Sequence, residues 1–106
     1  MDNFKQQLNQ LLNDIELEMQ RIALWQALPP EPNAFLSEQP FAIDTMQSNE
    51  WLQWVFLPRM RAIIDANSDI PRNFALHPYF EESLKEEEEV LNLLQLIKTL
   101  DELVKE

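Results

Sequence analysis

The chain has 106 residues, of which 45% are hydrophobic, and this predicts one domain spanning residues 1–106 with a single core. It contains no cysteine, which excludes disulfides and thiolate metal sites. It also contains no glycine, which excludes glycine-rich phosphate loops and nucleophile elbows, and it predicts that helices end at proline, asparagine or serine.

The charge is strongly negative. Eight basic residues against 19 acidic ones give a net charge of −11, which disfavours direct binding to the phosphates of a nucleic acid. The segment 51–80 is the exception, because its three arginines outnumber its two aspartates, and this aromatic segment is either a docking region or the buried part of the fold. No apolar run reaches the ~20 residues of a membrane span, and the polar N-terminus has no signal core, so we expect a cytoplasmic protein.

The first half of the chain predicts one long helix followed by an ordered loop. Apolar residues at steps of three and four indicate an amphipathic helix from Asp2 to Ala27, ended by the prolines of 29–32. The segment 33–46 has too many large apolar side chains for a solvated linker, so we expect an ordered loop that lies across the bundle and covers its core with Phe35, Leu36, Phe41, Ile43 and Met46. The next helix is predicted to start near Ser48, with Asp44 or Ser48 accepting from its free N–H groups.

The second long helix, residues 49–66, contains a proline in its middle. Pro58 removes one backbone hydrogen bond, which predicts a kink or a break. At about 100° per residue, Arg59 falls on the apolar face between Phe56 and Ile63, whereas Arg61 falls on the opposite side. A buried guanidinium needs a carboxylate or carbonyl partner, so the pattern predicts that Arg59 pairs inside the bundle, with Asp44 as the first candidate.

Two further helices complete the prediction. A turn at 67–71 and an irregular stretch lead to a short helix opened by Pro78. The last helix is predicted over residues 86–104, with the four glutamates of 86–89 favoured at its N-terminus by the helix dipole. Three substantial helices and one short one, without alternating strands, predict a small all-α helical bundle.

Two runs in the middle of the chain carry a resemblance. Residues 39–46 read QPFAIDTM and residues 50–60 read EWLQWVFLPRM, and both, with Phe74-Ala75 and Pro78-Tyr79, are similar to the signature of the YqcC-like family of small proteobacterial proteins. The resemblance covers nearly the whole chain. It implies an up-and-down four-helix bundle with a long ordered loop between the first two long helices. It implies no established activity, although family members are often encoded beside a tRNA pseudouridine synthase.

Catalysis by this chain alone is disfavoured. Pseudouridine synthases are larger α/β enzymes with a catalytic aspartate in a sheet-lined cleft, whereas this chain is short, without predicted strands, and acidic. Asp44, the aspartate within the signature, is explained by helix capping. The single histidine, His77, excludes a histidine pair or triad, and no metal or other cofactor is expected.

Two hypotheses about function remain. The first is a non-catalytic interaction or accessory module with a protein partner, linked to tRNA modification. The alternative is a small enzyme or ligand-binding protein with a pocket near Asp44, Arg59 and Tyr79, to which His77 would contribute. The residues that would form the partner surface or pocket are Phe41, Asp44, Trp51, Trp54, Arg59, Arg61 and Tyr79.

Overall fold

The computed structural model describes residues 3–106, which form helices joined by loops and contain no strand. This confirms the predicted all-α architecture of four helices. The second of these helices, residues 48–65, runs as one rod made of three parts. The elements in chain order are α1 (Asn3–Arg21), the 3₁₀ turns Pro32–Leu36 and Pro40–Ala42, α2 (Ser48–Trp51), a π-helical segment (Leu52–Phe56), α3 (Leu57–Asp65), α4 (His77–Ser83) and α5 (Leu91–Val104).

The first helix ends six residues earlier than predicted. The backbone N–H of Leu24 donates to the Met19 carbonyl at 2.9 Å, and Ala23 between them adopts a left-handed conformation with φ of 62°. This arrangement is the helix end normally made by glycine. The prediction that α1 continues to Ala27 is therefore wrong, because an alanine takes the left-handed position that the absence of glycine was expected to exclude. The predicted start at Asp2 lies outside the described residues.

The connection between α1 and α2 has local structure, as expected, but only part of it covers the core. Met46 is buried, and Phe41 is half-buried against the core. Phe35, Leu36 and Ile43, which were predicted to face inward as well, are instead exposed. A short 3₁₀ turn has too few residues to bury every apolar side chain that it carries.

The rod of residues 48–65 contains the π-helical segment directly before Pro58. The N–H of Leu57 donates to the carbonyl of Leu52, five residues back, and Pro58 follows in the first turn of α3, a position that tolerates proline. The predicted disturbance at Pro58 therefore takes the form of a π-helical segment. The segment holds one more residue per turn than an α-helix, which shifts every later side chain around the helix axis.

The second half of the chain matches the prediction except at the glutamate run. Pro78 lies in the first turn of α4, as expected. The last helix begins at Leu91 and not at Glu86, since Glu89 has a positive φ of 61° and Val90 is the residue before the helix. The glutamates of 86–89 therefore form an exposed turn, and the prediction that they open the helix is wrong.

The core lies between α5 and its neighbours α1 and α4, and α3 packs against α1. Its fully buried side chains come from every helix. They include Leu8, Leu12, Ile15, Met19, Leu52, Leu57, Phe80, Leu93, Ile97, Leu100 and Val104. None of the helices among residues 3–106 is long and apolar enough to cross a membrane.

Candidate functional site

The aromatic residues of the signature form one cluster that fixes the loop to the helices. The ring of Phe41 stacks on Tyr79 of α4, with centroids 4.1 Å apart and an angle of 12° between planes. Trp51 meets the same Phe41 ring edge-on at 4.9 Å and lies 6.3 Å from Phe80. Phe41 adopts a positive φ of 59°, which is a costly conformation for a bulky residue. Its ring contacts with Trp51, Tyr79 and Phe80 offset that cost.

A second group of signature residues holds the start of the loop between α1 and α2. The side-chain oxygen of Gln53 accepts from the backbone N–H of Gln26 at 2.7 Å, and its NH₂ donates to the Gln26 carbonyl at 2.8 Å. The Gln26 side chain in turn accepts from the Trp54 indole N–H at 3.1 Å and donates to Glu50. We call these four residues the Gln26 clamp.

The clamp explains why the signature carries polar residues on a largely buried helix. Gln53 is only 4% exposed, and a buried amide requires hydrogen-bonding partners for both of its ends. Neither residue of the Gln26–Gln53 pair was selected from the sequence. Gln53 is polar and so does not belong to an apolar pattern, and Gln26 lies past the end of α1. The one member of the clamp that the sequence did indicate is Trp54, next to Gln53.

Asp44 lies outside both groups. Its carboxylate accepts a hydrogen bond from the hydroxyl of Ser37, which joins the two 3₁₀ turns, and Asp44 is exposed. Neither Asp44 nor Ser48 caps the start of α2. Gln47 precedes the helix, and its backbone N–H donates to the Glu50 carboxylate at 2.8 Å. The capping role predicted for Asp44 is therefore wrong.

The two arginines of the rod formed by residues 48–65 have positions opposite to those predicted. Arg59 is exposed, and Met60 occupies the core position expected for it, because the π-helical segment shifts the apolar face by one residue. Arg61 is the arginine that bridges helices: it pairs with Glu16 of α1 at 2.7 Å and donates to the Asn13 side chain at 3.1 Å. Arg59 makes no ion pair within the part of the chain that is described, so the predicted Arg59–Asp44 pair is wrong.

An unpredicted carboxylate organises the start of α4. Asp101, on α5, accepts from the backbone N–H groups of Leu76 at 2.9 Å and His77 at 2.8 Å. These N–H groups have no partner within α4, so Asp101 acts as a cap supplied by a neighbouring helix. His77 was interpreted from the sequence as a loop residue before Pro78, but it is the first residue of α4 and is held there through its backbone.

Within residues 3–106, His77 and Tyr79 line two different grooves, and neither groove includes Asp44 or Arg59, which are both exposed. Tyr79 does line an open groove of about 370 Å³, but the rest of that lining is Met46, Gln47, Ser48, Asn49, Ser83, Leu84 and Glu87. Burial raises the pKa of the Tyr79 phenol, so the phenol stays protonated at neutral pH and is a poor base. Among residues 3–106, no three histidine, aspartate or glutamate side chains converge to hold a metal ion.

The structure therefore sorts the candidate residues into four sets. Phe41, Trp51 and Tyr79 meet in the aromatic cluster, and Trp54 belongs to the Gln26 clamp. Arg61 bridges α1 and α3. Asp44 and Arg59 are separate and exposed. Such an arrangement is that of a small helical protein whose signature residues mainly stabilise the loop between its first two helices.

Comparison with known proteins defines the family. Residues 7–103 match the family model DUF446, whose description reads "tRNA pseudouridine synthase C". The solution structure of YqcC from Escherichia coli superimposes with a TM-score of 0.83 at 33% identity, covering 95% of this chain and 87% of that one. The chain belongs to the YqcC-like family, DUF446, as its signature indicated.

Relatives at the sequence level include proteins of very different length. An uncharacterized protein of Haemophilus influenzae is 48% identical over 99 residues, which is 93% of both chains. The YqcC protein of E. coli K12 is 47% identical over 60 residues, covering 57% of this chain and 55% of that one. A Pectobacterium carotovorum protein named tRNA pseudouridine synthase C is 50% identical over 68 residues, which make up 64% of this chain but only 18% of that protein.

Proposed function

We propose that this protein is a non-catalytic accessory module that binds a tRNA pseudouridine synthase. One observation carries the proposal: a segment of this family, 68 residues long, forms 18% of a Pectobacterium protein named tRNA pseudouridine synthase C. A segment joined to a longer chain is kept at a high effective concentration beside the rest of it. Where the two are separate chains, a specific interface would have to supply that proximity.

Charge supports a protein partner of this kind. An enzyme that binds tRNA needs a basic surface for the phosphates, and this chain carries a net charge of −11. Complementary potentials accelerate encounter and orient the two proteins. The same negative charge opposes direct tRNA binding by this protein, so the accessory role works through the enzyme.

The positions of the signature residues support a role without catalysis. The aromatic residues Phe41, Trp51 and Tyr79 are engaged with one another, and Gln53 is engaged by Gln26. Asp44, the aspartate of the signature, lies on the surface and bonds to Ser37. These contacts account for Phe41, Trp51, Tyr79 and Gln53 as structural residues, which supports an accessory role.

The proposal is tested by reconstitution with the synthase of the same organism. Purified protein and synthase are mixed and examined by size-exclusion chromatography with light scattering, first at about 50 mM salt and then at about 500 mM. We expect a complex that weakens at the higher salt concentration. An unrelated basic tRNA-binding enzyme is the control for attraction by charge alone. Two separate peaks at both salt concentrations, or equal binding to the control enzyme, would contradict the proposal.

Activity measurements separate an accessory from an enzyme. We expect no pseudouridine in unmodified tRNA incubated with this protein alone, and a changed rate or tRNA preference when the protein is added to the synthase. Product formed by this protein alone and lost in Asp44→Ala would establish that it is itself the enzyme.

A further inference from the structure

Four large apolar side chains of the loop before α2 are exposed, and three of them lie in or beside its 3₁₀ turns, whereas Leu28 precedes the turns. Leu36 is 75% exposed, Ile43 is 60% exposed and Phe35 is 44% exposed. We call these three residues the loop patch. Single exposed apolar residues are common on protein surfaces, but three within residues 35–43 indicate an interaction surface.

The loop patch is held in place by hydrogen bonds between its two halves. The Thr45 hydroxyl donates to the Ala34 carbonyl at 2.7 Å, and the Ser37 hydroxyl donates to the Asp44 carboxylate. These two bonds lie on either side of Phe35 and Leu36 and join their segment to Asp44 and Thr45, directly after Ile43. The backbone segments that carry the three exposed side chains are therefore held next to each other.

The same surface is joined to the core from beneath. Phe41, two residues before Ile43, stacks on Tyr79 and meets Trp51, and the buried Ala42 and Met46 flank Ile43. A surface with a fixed conformation loses little entropy when a partner binds. The aromatic contacts of the signature thus have the effect of preorganising the loop patch.

The charge around the loop patch has one sign. From Ile22 to Pro58 the chain has no lysine, arginine or histidine, whereas Glu31, Glu38 and Asp44 accompany the patch and are all exposed. A ligand that covers the apolar side chains therefore meets only acidic charge on this segment of the chain, and we call Glu31, Glu38 and Asp44 its acidic rim.

We infer that the loop patch is the docking site for a segment of the synthase in which apolar side chains are flanked by lysine or arginine. This inference rests on the proposed function and adds the surface and the chemistry of its partner. The apolar anchors supply the buried contact, and the acidic rim supplies orientation and rapid encounter.

The other exposed apolar surface fits this partner less well. Leu17 of α1 is 62% exposed beside a groove of about 450 Å³ between α1 and α5, and Leu91 at the start of α5 is 80% exposed. Arg21 lines that groove and pairs there with Glu18 at 2.5 Å. A surface that already contains its own cation has less to offer a basic segment.

The exposed leucines of the two surfaces provide a matched experiment. The affinity of the synthase is measured by calorimetry for Leu36→Ser/Ile43→Ser and for the control Leu17→Ser/Leu91→Ser. Both pairs are exposed, so both variants are expected to fold, which circular dichroism checks. We expect the loop-patch variant to bind about tenfold or more weakly and the control to change by less than about twofold.

A charge-reversal pair tests the acidic rim independently. Glu31→Lys/Glu38→Lys and Glu86→Lys/Glu102→Lys change the net charge by the same amount, and all four side chains are exposed. We expect the first pair to lower the association rate, and its salt dependence, more than the second. Equal effects of the two pairs would mean that overall charge, and not the loop patch, attracts the partner.

The outcomes distinguish this inference from the proposed function. If the wild type binds the synthase and only the Leu17/Leu91 variant is impaired, the docking site lies between α1 and α5 and the inference is overturned while the proposed function stands. If the wild type does not bind, the proposed function fails and the assignment of this partner fails with it.

Discussion

Gln53 holds the backbone of Gln26 at both of its polar groups, accepting from the N–H at 2.7 Å and donating to the carbonyl at 2.8 Å. The contact joins residues 27 positions apart. It gives the backbone of Gln26 the two hydrogen bonds that a neighbouring strand would supply in a sheet. It fixes where the loop leaves α1, and the two 3₁₀ turns follow from that point.

The first prediction concerns this contact. Gln53→Ala leaves a partly buried N–H and a carbonyl without partners, and we expect the free energy of unfolding to fall by about 2–3 kcal/mol. Gln95→Ala, an exposed substitution of the same type on α5, should change it by less than about 0.5 kcal/mol. Urea unfolding followed by circular dichroism measures both. Equal effects would mean that water replaces Gln53 without cost.

The second prediction concerns Arg59 and Arg61, the two arginines of the rod formed by residues 48–65. Arg61→Ala removes the ion pair with Glu16 and the bond to Asn13, and we expect a loss of about 1 kcal/mol, since the pair is about a third exposed. Arg59→Ala should change stability by less than about 0.5 kcal/mol. Denaturant midpoints of the two variants, repeated at about 1 M salt, should show the Arg61 effect shrinking. A larger loss for Arg59→Ala would contradict the structure.

The third prediction uses the single tyrosine as a probe. Burial raises the pKa of Tyr79 above its ordinary value of 10.0, so the folded protein keeps the phenolic proton at a pH where the unfolded chain has lost it. Stability from this source is complete below about pH 10 and is lost as the pH rises through the folded pKa.

Tyrosinate absorbance measures that titration directly, because Tyr79 is the only tyrosine in the chain. We expect a higher midpoint in native buffer than in denaturant. The free energy of unfolding should fall at alkaline pH in the wild type, partly because Tyr79 ionises and partly because lysines lose their charge. In Tyr79→Phe the first contribution should disappear and the second should remain. Identical midpoints in the native and denatured states would mean that the phenol is not desolvated.

The fourth prediction concerns the left-handed residue after α1. Ala23 has a φ of 62°, a conformation that costs an L-residue roughly 1–2 kcal/mol and glycine almost nothing. Because glycine also gains about 0.4–1 kcal/mol of freedom in the unfolded chain, we expect Ala23→Gly to be neutral or up to about 1 kcal/mol stabilising.

The matched control is Ala62→Gly, at an exposed position within α3. Glycine inside a helix should destabilise the protein by about 1 kcal/mol. Thermal and urea unfolding of the two variants should therefore give changes of opposite sign or clearly different size. Comparable destabilisation by both would show that Ala23 is not held in the left-handed region in solution.

The sequence predicted those parts of the fold that depend on hydrophobic spacing and proline. Leu8, Leu12, Ile15 and Met19 are buried as their spacing indicated, and the starts near Ser48 and Pro78 are correct to within a residue. Helix ends were predicted less well. Ala23 and Glu89 accept positive φ values in a chain that has no glycine, and no residue type announces this in advance.

The candidate site was predicted in its aromatic part and missed in its polar part. Phe41, Trp51 and Tyr79 were selected from the signature and do meet, but the pairing of Arg59 depended on helical phase. Pro58 removes a hydrogen bond that a kink, a break or a π-helical segment can each accommodate, and these alternatives place Arg59 differently. Asp101, 24 residues beyond the His77 N–H that it caps, belongs to a different helix, and only tertiary structure joins them.

Because of the π-helical segment, the number of residues in the rod of 48–65 determines the directions of its side chains as much as their identity does. Deleting one residue from 52–56 would close the π-helical segment to α-helical spacing, which leaves Pro58 inside a regular helix, and it would rotate one end of the rod against the other by about 100°. Gln53 could then face Gln26, or Arg61 could face Glu16, but not both. The segment therefore acts as an angular spacer that lets a single rod serve the loop at one end and α1 at the other.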